Sequence, residues 1–180
     1  MDGTGWTSTS TPYLAPRTAG EPDAWTEEAE SAGRRGSQRI VFAGETPATA
    51  EAARLLGTDE GETVVVRRRV IELDGDPYEL TNTFYPARIA SGTPLAGSAK
   101  IRGGAVTLLA SLGHVGTRVV ETVTARMPSA EERKQLRVGH GEPVLCIARV
   151  TYDATDAPLQ ADLMVMQATR QQLRYETTIG

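Results

Sequence analysis

Apolar and polar positions organise this chain most clearly between Glu62 and Pro86. Two runs rich in β-branched and aromatic residues, Val64–Leu73 and Tyr78–Tyr85, flank Asp74-Gly75-Asp76-Pro77. This pattern predicts a β-hairpin turning at Asp-Gly, because a tight hairpin turn needs positive φ at its central residues. Upstream, Arg39–Glu45 reads as a strand, followed by a helix with Pro47 near its start, Ala50–Leu56 as its body and Gly57 at its stop. Downstream, Pro86–Gly92 reads as a turn or single helical turn. Val106, Leu108, Leu109 and Leu112 give an apolar helical face over Ala105–Leu112, ended by Gly113. Thr117–Arg126 reads as a strand, and Ser129-Ala130-Glu131-Glu132 is a capping box opening a helix through Leu136. Pro143–Asp153 and Pro158–Met166 form a second hairpin about Ala154–Ala157. The order β-α-ββ-α-β-α-ββ with hairpin connections predicts an α+β domain, a mainly antiparallel sheet with helices packed on it.

Three arginines interrupt the first hairpin strand. Alternation puts Arg67 and Arg69 on one face with Val65 and Ile71, and Arg68 on the other with Val66 and Val70. Guanidinium groups on a covered face need carboxylates, phosphate or water, so an anion pocket is one reading; a solvated face or ordinary ion pairs is the other. A second candidate is Lys100-Ile101-Arg102-Gly103-Gly104, where two glycines leave backbone N–H groups uncrowded at a helix N-terminus with cations beside it. Glycine also opens helices for purely steric reasons. Glu121 stands on the Val119/Val123 face as a lone carboxylate among apolar neighbours.

Residues 1–36 have a different character. They are rich in Thr, Ser, Gly and Pro, which cannot build a core, yet they carry both tryptophans, Trp6 and Trp25. An arm packed on its own domain or on a second subunit follows from the tryptophans; a partly disordered leader follows from composition. Pro22–Glu30 reads as a short helix with Gly33 beyond its end. The 180 residues suffice for one domain, 37–180, plus this arm, and a net charge of −4 gives the whole molecule no electrostatic reason to seek nucleic acid or an anionic membrane. No run approaches the ~18 apolar residues of a membrane span, and the N-terminus lacks the pattern of a signal peptide. One cysteine, Cys146, excludes an internal disulfide, fits a reducing cytoplasm, and reads as a small buried hydrophobe in Val144–Ile147. His114 and His140 are far apart, so neither a metal site nor a cofactor is expected.

Taken in succession, the hairpin Val64–Pro86, Val120–Arg126, Ser129–Glu132 with Leu136, Glu142–Asp153 and Pro158-Leu159-Gln160 resemble the UTRA domain, the effector-binding half of HutC-type regulators of the GntR family. The resemblance covers roughly residues 38–178. It implies a chorismate-lyase-like fold enclosing a small-molecule pocket, in a homodimer. It also implies that an anionic effector is held by Arg69, with Arg67 beside it, and by Lys100–Ala105. Where the family often has glutamates this chain has Thr81 and Gln160, which removes negative charge and speaks against an amino-sugar type of ligand. Arg149 and Tyr175 complete the candidate set. The winged helix-turn-helix of such regulators is not expected here: residues 1–36 offer no helix pair with a basic recognition helix, and Arg17, Arg34 and Arg35 are few and scattered.

Three functions fit this reading. The first is a stand-alone sensor of a small anionic organic molecule, acting as a homodimer or paired with a full-length GntR-family regulator, and not binding DNA by itself. The second is an enzyme of lyase, isomerase or cyclase type, with the arginines holding an anionic substrate and Glu121 or Asp162 moving a proton. The third is a regulator that has lost its DNA-binding part.

Overall fold

The computed structural model describes residues 6–8, 13–17 and 23–176. The expected arm therefore falls partly outside the described residues, as do Pro22 and the last four positions of the chain. The elements are β1 (Trp6–Ser8), α1 (Ala24–Ser31), β2 (Gly36–Pro47), α2 (Ala50–Leu56), β3 (Thr63–Leu73), β4 (Asp76–Pro86), α3 (Ala87–Ala90), a 3-10 turn at Pro94–Ala96, α4 (Gly104–Ser111), β5 (Arg118–Arg126), α5 (Ala130–Leu136), β6 (Val144–Tyr152), β7 (Pro158–Gln167) and β8 (Gln171–Leu173). Six strands form one sheet in the order β2-β3-β4-β7-β6-β5, with every neighbouring pair antiparallel. The α+β expectation holds. The short parallel pair β1–β8 was not legible in the sequence.

Local chemistry fixes most boundaries. Asp74 and Gly75 both have positive φ, 56° and 88°, so the hairpin closes as its Asp-Gly pair demands. The Asp74 carboxylate is held by the Arg34 side chain at 2.7 Å and accepts from the Arg35 backbone N–H at 2.8 Å. Asp23 caps α1, Thr49 caps α2, and Ser129 with Glu132 forms the capping box of α5.

The alternation of β3 divides the core in two. Val64 and Val66 pack with Phe84 under α2, and α5 lies on the same face through Leu136, Val144 and Leu80. Cys146 packs against that second group as a partly buried apolar residue. Val65 faces the other way, with Tyr85, Ile89, Leu95 and Leu109 under α3, the 3-10 turn and α4. The arm covers the rest of this second face: Trp6, Trp25 and Ala29 pack on Ile71, Leu73 and Tyr78 of the chain's own hairpin. Among the described residues no helix is long and apolar enough to cross a membrane.

Candidate functional site

Sheet register builds the site. On the α4 face, antiparallel pairing aligns Arg67, Thr83, Asp162, Arg149 and Glu121 in one row across β3-β4-β7-β6-β5. The next row holds Arg69, Thr81, Met164 and Ile147, and the third holds Ile71, Glu79, Met166 and Leu145. Residues far apart in the chain thus become a polar array about 13 Å long, at ~3.3 Å per residue over four positions.

Above this array lies a cavity of about 180 Å³. Its floor is Arg69, Thr81, Glu79, Asp162 and Arg149; its roof is the start of α4 at Gly103–Val106; and its rim is the arm, through Tyr13, Arg17, Asp23 and Trp25. Gly103 and Gly104 adopt φ of 73° and 84°, and a Cβ on Gly103 would press on Thr107 at 3.2 Å. The Thr107 hydroxyl donates to the Gly103 carbonyl at 2.7 Å and accepts the Arg17 backbone N–H at 3.0 Å, tying arm to roof.

The two hairpin arginines have different work. Arg67 is 5 % exposed and does not line the cavity. Its guanidinium donates to the carbonyls of Pro94 and Leu95 at 3.1 Å each, of Gly97, and of Ala99 at 3.1 Å. Burial pulls its pKa below the usual value. It is a brace for the loop leading to α4, which corrects its assignment as an anion ligand. Arg69 does line the cavity, and its hydrogen bonds go to neutral groups: the Gln38 side-chain oxygen at 3.3 Å and the Thr83 hydroxyl at 2.8 Å. Its Nε is buried without a partner, and among the described residues no carboxylate ion-pairs with it.

The carboxylates are also sorted by the structure. Glu121 lies outside the cavity wall and ion-pairs with Arg149 at 2.5 Å. The lone carboxylate of the sequence is therefore neutralised by its cross-strand neighbour. Asp162 accepts from Thr83 at 2.7 Å and from Gln160 at 2.7 Å, one bond to each oxygen. Burial alone would lower the Arg149 pKa, but Asp162 and Glu121 outweigh it and raise it. Glu79 lies two residues before Thr81 on the same strand face and accepts a hydrogen bond from the Thr81 hydroxyl. Burial raises the Glu79 pKa, against the Thr81 hydrogen bond and the Arg149 and Arg69 charges. The inference that Thr81 and Gln160 strip the site of negative charge is thus corrected: Glu79 and Asp162 both line the cavity. Period-two reading of β4 would have found Glu79.

Three further candidates lie elsewhere. Lys100 does not line the cavity but pairs at 3.2 Å with Asp23 on its rim, and Arg102 is exposed. Asp23 is pulled below its usual pKa although burial opposes this, by the Thr26 backbone N–H and by Lys100. Tyr175 is exposed, outside the wall and hydrogen-bonded to Glu121. Among the described residues no cluster of His, Cys, Asp and Glu has the make-up of a metal site.

A sheet whose helix-covered face encloses such a cavity has clear relatives. The UTRA domain family model matches residues 31–172. The chain belongs to the UTRA domain family. Over 163 residues this UTRA domain is 28% identical to an HTH-type transcriptional regulator of Streptomyces coelicolor, covering 87% of this chain and 60% of that protein. It is also 28% identical over 137 residues to the HTH-type transcriptional repressor PhnF of Mycolicibacterium smegmatis, covering 76% and 55%. The chain thus spans little more than half the length of these curated relatives. The crystal structure of the effector domain of PhnF from Mycobacterium smegmatis superposes with a TM-score of 0.72 at 24% identity, over 91% of this chain and 98% of that one. The two curated relatives are transcriptional regulators by name, and the superposed structure is of an effector domain.

Proposed function

We propose that this UTRA domain is the sensor part of a HutC-type, GntR-family regulatory system and binds a small organic anion in the cavity under α4. The observation that carries this reading is Arg69, a guanidinium lining the cavity whose hydrogen bonds go to neutral groups and whose Nε is buried without a partner among the described residues. Such a group is costly to leave uncompensated, and a carboxylate or phosphate would compensate it through a charge-assisted hydrogen bond. The glycine-led start of α4 adds backbone N–H groups to the same cavity, while Arg149 lines it already paired with Glu121. Glu79 and Asp162 supply acceptors for hydroxyl or ammonium groups on the same ligand. The sensor reading is also favoured over proton-transfer chemistry by the tethering of both candidate acid–base groups, Glu121 to Arg149 and Asp162 to Thr83 and Gln160.

The domain acts in the cytoplasm as a homodimer, a reading supported by the free Cys146 and by the uncovered edge strand β5, where Val120 and Val123 are exposed. DNA contact is left to another domain, in the same polypeptide or in a partner GntR-family regulator. The test is native mass spectrometry of the freshly purified chain, with and without added inorganic phosphate, acetate and a neutral sugar. Retention of an anion by the parent and its loss in Arg69→Ala support the proposal. Equal retention in the variant, or retention of the neutral sugar alone, overturns it.

A further inference from the structure

The cavity does not end at its charged groups. Beyond the Glu79–Met166 row its lining continues to Trp25 and Tyr78, with Met166 and Leu173 as apolar wall. The Trp25 and Tyr78 rings stack 5.6 Å apart at 20°, and Trp6 closes on Trp25 edge-on at 5.4 Å. Trp25 lies outside residues 31–172, whereas Tyr78 and Gln171 lie inside them.

Among the described residues, two polar atoms lining this end are buried without a hydrogen-bond partner: the phenol oxygen of Tyr78 and Oε1 of Gln171. Their side chains are 6 % and 7 % exposed and both line the cavity. Buried polar atoms in native proteins are nearly always satisfied, and leaving one unpaired destabilises the fold. A β-bulge places one of them. Ile71 pairs with Glu79 but Glu72 pairs with Pro77, so Tyr78 is the unpaired extra residue. Strict alternation would turn Tyr78 to the α5 face; the bulge swings it into the cavity beside Ile71.

We infer that the Trp25–Tyr78–Gln171 end is a second subsite, which takes a hydroxyl or carboxamide at the far end of an apolar ligand body. The inference rests on the proposed anion site at Arg69, which holds the other end of the same molecule. The chemistry is specific. The Tyr78 phenol is a donor and Gln171 Oε1 an acceptor, and a hydroxyl or carboxamide is the small neutral group that both accepts and donates. The stacked Trp25 and Tyr78 rings and the Met166 side chain favour an apolar ligand body between the Glu79 row and this end. The ligand class is therefore an ω-hydroxy or ω-amido organic acid rather than inorganic phosphate or a compact sugar phosphate.

Calorimetric titration of the purified chain with acetate, hexanoate and 6-hydroxyhexanoate tests this. Affinity should rise in that order, with the terminal hydroxyl adding about fivefold. Tyr78→Phe and Gln171→Leu should each remove the hydroxyl increment and leave hexanoate within about twofold, while Tyr78→Phe leaves the unliganded melting temperature unchanged or raised, as loss of an orphan hydroxyl does and loss of a structural one does not. Equal affinity for hexanoate and 6-hydroxyhexanoate, or a hydroxyl increment that survives Tyr78→Phe, overturns the subsite and leaves the Arg69 site standing. Undiminished binding of all three acids by Arg69→Ala overturns the anion site instead. Binding of none of them by the parent overturns both.

Discussion

Replacing Arg67 by methionine separates bracing from binding. The guanidinium holds the carbonyls of Pro94, Leu95, Gly97 and Ala99, and the bond to Leu95 is buried while the other three are part-buried. Methionine fills the stem's space without donors, so the Leu95 carbonyl is left unpaired in the interior at a cost of about 1–3 kcal/mol. The three outer carbonyls recover water and lose about 0.5–1 kcal/mol each. Against this, removing a buried charge relieves its desolvation, which lowers the Arg67 pKa in the folded chain. The net expectation is a loss of about 3 kcal/mol. Arg69→Met should cost less than about 1 kcal/mol, because its partners are two neutral side chains and its charge is uncompensated. Urea unfolding followed by tryptophan emission reads both, since Trp25 is buried against Tyr78. If Arg67→Met unfolds at the parental midpoint, or Arg69→Met is the more damaging change, the division of labour between these two arginines is wrong.

Other outcomes follow from single contacts. Glu132 is held at a pKa of about 2, chiefly by the Arg126 guanidinium. A lowered carboxyl pKa contributes stability above the unfolded value near ~4.3 that is lost as pH falls toward the folded one. Thermal melts should therefore show the gap between parent and Glu132→Gln closing between about pH 5 and pH 2; a constant gap contradicts the assignment. A Cβ at Gly36 would lie 2.8 Å from Trp25 Nε1 and 2.9 Å from Ala29 Cβ, so Gly36→Ala should cost about 1–3 kcal/mol and shift tryptophan emission to the red. Emission and stability like the parent's would show that α1 is not seated on β2 as described. Leu136 is fully buried under the α5 side of the sheet, and Leu136→Ala should cost about 2–5 kcal/mol by chemical denaturation, a loss below 1 counting against that packing. Glu79, raised mainly by burial, gains its charge as pH rises, so anion affinity should fall through that titration and become flatter in Glu79→Gln; an unchanged pH profile would remove Glu79 from the site.

The sequence by itself determined the elements and their faces, because the signals are local. Asp74-Gly75 set the turn, Ser129 and Glu132 the cap, and period-two alternation sent Val64 and Val66 to one core and Val65 to the other. The same alternation put Arg67 and Arg69 on one face but could not tell them apart. That difference depends on the loop 94–99 descending over Arg67 and stopping short of Arg69, a contact between segments some thirty residues apart. Register across four strand pairs decided that Glu121 neutralises Arg149 while Glu79 stays in the cavity, and register is a property of neighbouring strands rather than of either one. The arm was legible as a short helix near Pro22–Glu30 and a pair of tryptophans that must pack on this domain or on a second subunit. Its place along the cavity came from packing against Tyr78, a residue that one extra position in β4 turned to the opposite side of the sheet.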